Sequence, residues 1–162
     1  MKNRKCVIAK RSKIKWLVVM ALFALIATNL FCYNTGDYRT KWGGNFEDLN
    51  LWECYNGSNW ITATQLPSSP FVSTLYISKQ TITMYSSIVI EGGIFIDGTL
   101  QLVSGANLTI NPSVTCQIGK IEVYRDSKLI NNGSINANEN SSSITIMNDG
   151  TLENNGIITN SG

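Results

Sequence analysis

Along residues 82–158 the apolar positions fall in short alternating runs. Val114, Cys116 and Ile118 form one and Ile144 and Ile146 another, with Gly, Asn, Asp and Ser filling the intervals. A period of two turns successive side chains to opposite faces, so each run predicts a short strand with one face directed inward. The runs also repeat. Leu129-Ile130-Asn131-Asn132-Gly133-Ser134-Ile135 is answered 23 residues later by Leu152-Glu153-Asn154-Asn155-Gly156-Ile157-Ile158, which keeps Leu, Asn, Asn, Gly and the final Ile. At the same shift Ile121 falls on Ile144, Val123 on Ile146 and Asp126 on Asp149. A shift of 21 sets Leu102, Leu108 and Val114 on Val123, Leu129 and Ile135. A shift of 20 sets Ile82, Ile88, Ile90 and Ile94 on Leu102, Leu108, Ile110 and Val114.

Self-similarity at this period predicts an all-β fold, a short stacked β-solenoid or parallel β-helix. It has about four coils, anchored at Ile88, Leu108, Leu129 and Leu152. In the second coil, strands are expected near Leu100–Val103, Leu108–Ile110 and Val114–Ile118. No coil can bury its inner face alone, so the core exists only as a stack, roughly 19 Å tall at the usual strand spacing. An antiparallel sandwich also spaces its strands with turn signals, but it does not require residue-for-residue repetition. Leu108, Leu129 and Leu152 are expected to form one internal row, flanked by Ile110, Val114, Ile135 and Ile158. Asn131 with Asn154, and Asn132 with Asn155, are expected to stack as amide ladders. Gly133 and Gly156 then read as corners that need positive φ.

The segment ahead of the repeats differs. Residues 33–70 hold Trp42, Trp52 and Trp60 with Tyr38, Phe46 and Tyr55, spaced by Gly and Asn. Around Asn56-Gly57 aromatic positions flank a dipeptide that tolerates two positive φ values, which predicts a hairpin. Such a cluster reads either as a cap on the open end of the column, since each ring buries about 150–250 Å², or as a platform for stacking on sugar rings. Leu66-Pro67-Ser68-Ser69-Pro70 marks a loop, and the repeats occupy 71–162, open at the carboxy-terminal coil.

Charge changes the picture at the other end. Lys2, Arg4, Lys5, Lys10, Arg11, Lys13 and Lys15 crowd the first fifteen positions and lead into twelve unbroken apolar residues, Trp16 to Ala27. A basic region before a short apolar core has the layout of a secretory signal, and twelve residues are few for a bilayer span of about 20. Residues 1–32 are therefore expected to be a signal peptide or signal anchor, with Cys32 a candidate for lipidation. From Tyr33 onward six basic residues face eleven acidic ones, a balance that argues against nucleic acid as a partner. Cys54 and Cys116 remain after the signal. A bridge between them is allowed in an oxidising compartment, while the alternation around Cys116 reads as a small buried hydrophobe.

Catalysis has little material here. The chain has no histidine, and the carboxylates Glu91, Asp97, Glu122, Asp126, Asp149 and Glu153 are the only candidates for acid–base or calcium chemistry. Asp126 and Asp149 share a repeat position and should stand one coil apart, but Asp126-Ser127 and Asp149-Gly150 are turn pairs. No catalytic, cofactor-binding or metal residue is therefore assigned, no cofactor is expected, and the chain is read as not an enzyme.

Four stretches carry a resemblance. Gly36-Asp37-Tyr38-Arg39-Thr40, then Gly44 through Glu53, then Tyr55-Asn56-Gly57-Ser58-Asn59-Trp60 is similar to the opening of large exported bacterial adhesin-like surface proteins. Gly150-Thr151-Leu152-Glu153-Asn154-Asn155-Gly156-Ile157-Ile158 resembles their solenoid turns. Phe46 and Leu51 stand where Trp and Thr are commoner in that family. The resemblance implies a non-enzymatic structural or adhesion module, secreted or on the outer cell surface of a Gram-negative bacterium, often through the type IX route. It also implies the front part of a longer repeat protein. The partners then expected are surface polysaccharide, further repeats, and a second copy through the last coil. The alternative is a carbohydrate-binding or polysaccharide-degrading β-helix protein.

Overall fold

The computed structural model describes residues 33–137 and 141–160, so the segment read as a signal, with Cys32, lies outside the described residues. Among the described residues no helix is long and apolar enough to cross a membrane. The chain opens with β1 (Tyr38–Thr40) and β2 (Gly44–Asn45), passes a 3-10 turn at Leu49–Leu51, and forms a hairpin of β3 (Trp52–Tyr55) and β4 (Trp60–Thr62). The column follows. It comprises β5 (Thr74–Ile77), β6 (Thr81–Met84), β7 (Ile88–Ile90), β8 (Gly93–Leu102), β9 (Asn107–Ile110) and β10 (Thr115–Val123). It continues with β11 (Lys128–Asn131), β12 (Ser134–Ala137), β13 (Ser143–Ile146), β14 (Thr151–Asn154) and β15 (Ile157–Asn160).

All pairing within the column is parallel, and it defines three faces. The first carries β1, β5, the front of β8, the front of β10, β12 and β15. The second carries β2, β6, the back of β8, the back of β10 and β13. The third carries β7, β9, β11 and β14, with Phe71 bridging to Ile90. Every inward position alternates with an outward one, so Leu75, Ile77, Ile94, Ile96, Leu108, Ile110, Cys116, Ile121, Leu129 and Ile135 are buried in one core. This is the β-solenoid of about four turns that the repeat predicted.

On the third face the expected register holds: Ile88, Leu108, Leu129 and Leu152 are successive partners. On the other faces the shifts hold for Ile121 with Ile144, Val123 with Ile146, Leu102 with Val123 and Ile135 with Ile158, and fail elsewhere. Ile94 and Ile135 both pair with Cys116, not with Val114, and Ile82 pairs with Leu100, not Leu102. The reason lies in the corners. Between β9 and β10 the chain runs through Asn111, Pro112, Ser113 and Val114, whereas only Asn132 and Gly133 separate β11 from β12. The two additional residues are absorbed in the corner, with Val114 N donating to Asn111 O at 3.0 Å. Strand register is set by backbone pairing and by which side chains face inward, so corner length varies freely. Val114 is buried, but at that corner and not in the Ile135 row.

Two further expectations are corrected. Gly133 and Gly156 do not have positive φ; Gly36, Gly44, Gly57 and Gly105 do. Their requirement is space: a Cβ on Gly133 would sit 2.4 Å from Asn111 O and one on Gly156 2.0 Å from Gly133 O. The β3–β4 hairpin forms as predicted, but Tyr55 pairs with Trp60 across a four-residue loop in which only Gly57, at φ 95°, is left-handed.

The aromatic segment both extends and seals the column. β1 and β2 stack on β5 and β6 as a partial coil, and the chain then reverses, laying β3 antiparallel on β1 and β4 on β3. Trp52, Phe46 and Tyr38 are buried beneath this reversal. Trp52 satisfies its indole by donating to Phe46 O at 2.8 Å, as a buried Trp requires. Asp37 and Glu47 fasten cap to column. The Asp37 carboxylate accepts from Asn34 N and Thr74 N at 2.7 and 2.9 Å. Glu47 Oε1 accepts from Tyr85 N, Ser86 N and Ser86 Oγ at 2.9, 2.7 and 2.7 Å.

Candidate functional site

With the core facing inward, any chemistry lies on the outer rows of the three faces and on the corners. The first face begins in rings. Arg39, Tyr76, Phe95, Gln117, Asn136 and Thr159 are successive outward partners down the column. Tyr76 and Phe95 stack at 5.3 Å and 8°. Above them Tyr33 meets Trp60 at 4.9 Å and Tyr76 at 5.2 Å, both edge-on, and lies 5.8 Å from Tyr55. Arg39 holds its guanidinium 4.5 Å from the Trp60 ring centre while donating through Nε to Glu53 at 2.7 Å. The aromatics of residues 33–70 thus form two groups, with Trp42 standing apart, exposed and with Lys41 Nζ 4.6 Å from its ring centre. Tyr38, Phe46 and Trp52 cap the core, and Tyr33, Tyr55 and Trp60 form an outer lawn that runs into Tyr76 and Phe95.

The second face carries the densest polar network. Gln101 donates through Nε2 to Glu122 Oε2 at 2.8 Å, Tyr124 donates its hydroxyl to the same oxygen at 3.1 Å, and Lys120 pairs with Oε1 at 2.6 Å. Thr83 completes the chain by donating to Gln101 Oε1 at 3.1 Å. The Glu122 side chain is only 12% exposed. Hydrogen bonds from Lys120 and Gln101 hold its carboxyl below the usual carboxylate range. Bonding to that carboxylate raises the pKa of both Lys120 and Tyr124. These shifts favour the ordinary charge state of each group at neutral pH.

The remaining acids are separated. Glu91 accepts from Asn111 Nδ2 at 3.2 Å, Asp97 stands exposed at the corner of β8, and Glu153 pairs with Lys128 at 2.5 Å. Asp126 and Asp149 do share a corner position, at φ 62° and 68°, beside Arg125 and Asn148 in an open cleft of about 500 Å³. Both belong to turns closed by Ser127 N on Tyr124 O and Gly150 N on Met147 O, each at 3.0 Å. Short polar residues accept that backbone readily. Among the described residues no three of His, Cys, Asp and Glu gather closely enough to hold a metal ion. Cys54 and Cys116 are both free thiols, with Cys116 buried in the core.

Sequence reasoning missed the Lys120–Glu122–Tyr124 set, although its spacing of two was a signal: in a strand those three share one face. Gln101 was hidden because its place beside Glu122 follows from coil register, which the repeat fixed only approximately. No family model, curated protein or solved structure matches the chain. Fold and surfaces together define the class, a short parallel β-solenoid sealed at its amino-terminal end by an antiparallel aromatic cap.

Proposed function

We propose that this chain is a non-enzymatic structural and adhesion module, exported through its basic, apolar amino-terminal segment and displayed outside the cell as part of a longer repeat assembly. One observation carries the reading. The inward rows of Leu, Asn and Ile continue from coil to coil, while Glu91, Glu122 and Glu153 are engaged by neighbours and Asp126 and Asp149 are set in turns, so the molecule is organised for stacking. On this reading the far edges of β14 and β15 are the side on which further repeats or a second copy continue the column. The reading is tested by protease treatment of intact cells, followed by detection of an epitope within residues 33–160. Loss of the epitope from unbroken cells, or its recovery in the medium, is expected. Retention in the cytoplasm, or turnover of a polysaccharide by the purified chain, overturns it.

A further inference from the structure

The three faces differ in charge. The second carries Lys120 and Glu122 and the third carries Lys128 and Glu153 on their outer rows. Among the described residues the strands of the first face from β5 to β15 carry no charge on their outer rows. Its outward pairs are Thr74 and Tyr76, Gly93 and Phe95, Thr115 and Gln117, Ser134 and Asn136, and Ile157 and Thr159. Among the described residues the nearest charges lie at its margins, with Arg39 paired to Glu53 above, Lys79 and Asp97 on one adjoining corner and Glu91, bonded to Asn111, on the other.

We propose that this charge-free strip binds a neutral polysaccharide laid along the column axis. Three features select that occupant. In one row successive coils present Gln117, Asn136 and Thr159 at the regular spacing of parallel strands, about 4.8 Å, with Thr115 and Ser134 beside the first two. Such a row can hydrogen-bond a polyhydroxylated chain at each step. Asn136 is already oriented, accepting from Thr159 Oγ1 at 2.7 Å. At the upper end, the Tyr76–Phe95 stack and Trp60 offer apolar ring surface for C–H groups. The absence of charge discriminates against anionic chains such as nucleic acids and acidic peptides, which gain nothing from the strip. A regular hydroxyl and amide array could also order ice. Aromatic rings at one end, and Thr74, Thr115 and Thr159 scattered over two rows with no continuous Thr rank, argue for the glycan.

The inference deepens the adhesive reading above by naming its ligand class. It is tested with the full chain in mild detergent on immobilised hydroxyethylcellulose, dextran and galactomannan, with polygalacturonate as the anionic comparator. Retention on at least one neutral polymer is expected, and at least tenfold weaker retention for the double variant Gln117→Ala, Asn136→Ala, whose circular dichroism should match that of the parent. Lys128→Ala, on the third face, should leave retention unchanged. Four results overturn the proposal: no retention on any neutral polymer, retention untouched by the double variant, retention only on polygalacturonate, or ice shaping without glycan binding. A chain that is displayed on cells but binds no glycan removes this inference alone. A cytoplasmic chain that binds glycan removes the display reading alone.

Discussion

Asn131 donates through Nδ2 to Asn154 Oδ1 at 2.7 Å and to Ile157 O at 3.1 Å, and its own Oδ1 accepts from Gly133 N at 3.2 Å. The same rank holds Ile90 and Ile110 in the coils before it. An amide therefore replaces an aliphatic side chain inside the column only where the next coil supplies an amide in register. Asn131 is fully buried.

We predict that Asn131→Ala lowers stability by about 1–3 kcal/mol, because it strands the buried Gly133 N–H, and an unpaired buried donor costs roughly that much. Asn132→Ala, which removes only the more exposed bond from Asn155 Nδ2 at 3.1 Å, should cost less than about 1 kcal/mol. Chemical denaturation of the two variants checks the contrast. Equal effects would sink the buried-ladder account.

Leu129 and Leu152 are register partners, yet Leu129 is fully buried and Leu152 is 36% exposed. An unpaired charge in the first position should unfold the stack, since the several kcal/mol it costs rivals a total of about 5–15 kcal/mol. Leu129→Asp should therefore abolish the cooperative melt, while Leu152→Asp lowers the midpoint and leaves a transition. A melt unchanged in Leu129→Asp would contradict the register.

Glu122 gives the protein an acid limb. Its carboxyl titrates below its ordinary range in the folded state, so the unfolded chain binds the proton more readily. The resulting stability is present above the unfolded carboxylate range and is lost as pH falls through the depressed folded value. Lys120 acts in the opposite window: its pKa is raised, and its contribution fades only as pH climbs through that raised value. Glu122→Gln should flatten the acid limb of a midpoint-against-pH curve; an unaltered limb would assign the acid sensitivity elsewhere.

Burial pushes the Cys116 thiol up to about 12. At neutral pH it carries almost no thiolate, the species that alkylates. Iodoacetamide should leave Cys116 unmodified in the native protein and label it fully in denaturant, read by peptide mass mapping. Rapid native labelling would mean that the coil around β10 opens.

Much of this fold was legible in the sequence because a solenoid writes each contact twice. The motif of Leu129 and Leu152 stated the third-face register outright, and the same copy foretold both amide ladders. The first face was less legible because Pro112 and Ser113 displace Cys116 from the place the repeat suggests, and arithmetic on a single shift cannot see a corner. Gly133 and Gly156 were read from the habit of glycine, whereas their cause is a carbonyl of the coil above, a tertiary fact. The outer strip of Tyr76, Phe95, Gln117 and Asn136 could not be read at all. Its members are far apart in sequence, and nothing local says that they form a rank.

The corner at Pro112-Ser113 has a consequence for how this molecule can change. Coils above and below it keep their pairing although one has two residues more than the other, and lengthening a loop costs only about 0.6 kcal/mol per doubling. Corners are thus sites where foreign sequence can be grafted or natural variation can accumulate, while a single insertion within a strand would turn its inward residues out. A surface built this way can alter what it displays at its edges without altering the shaft that carries it.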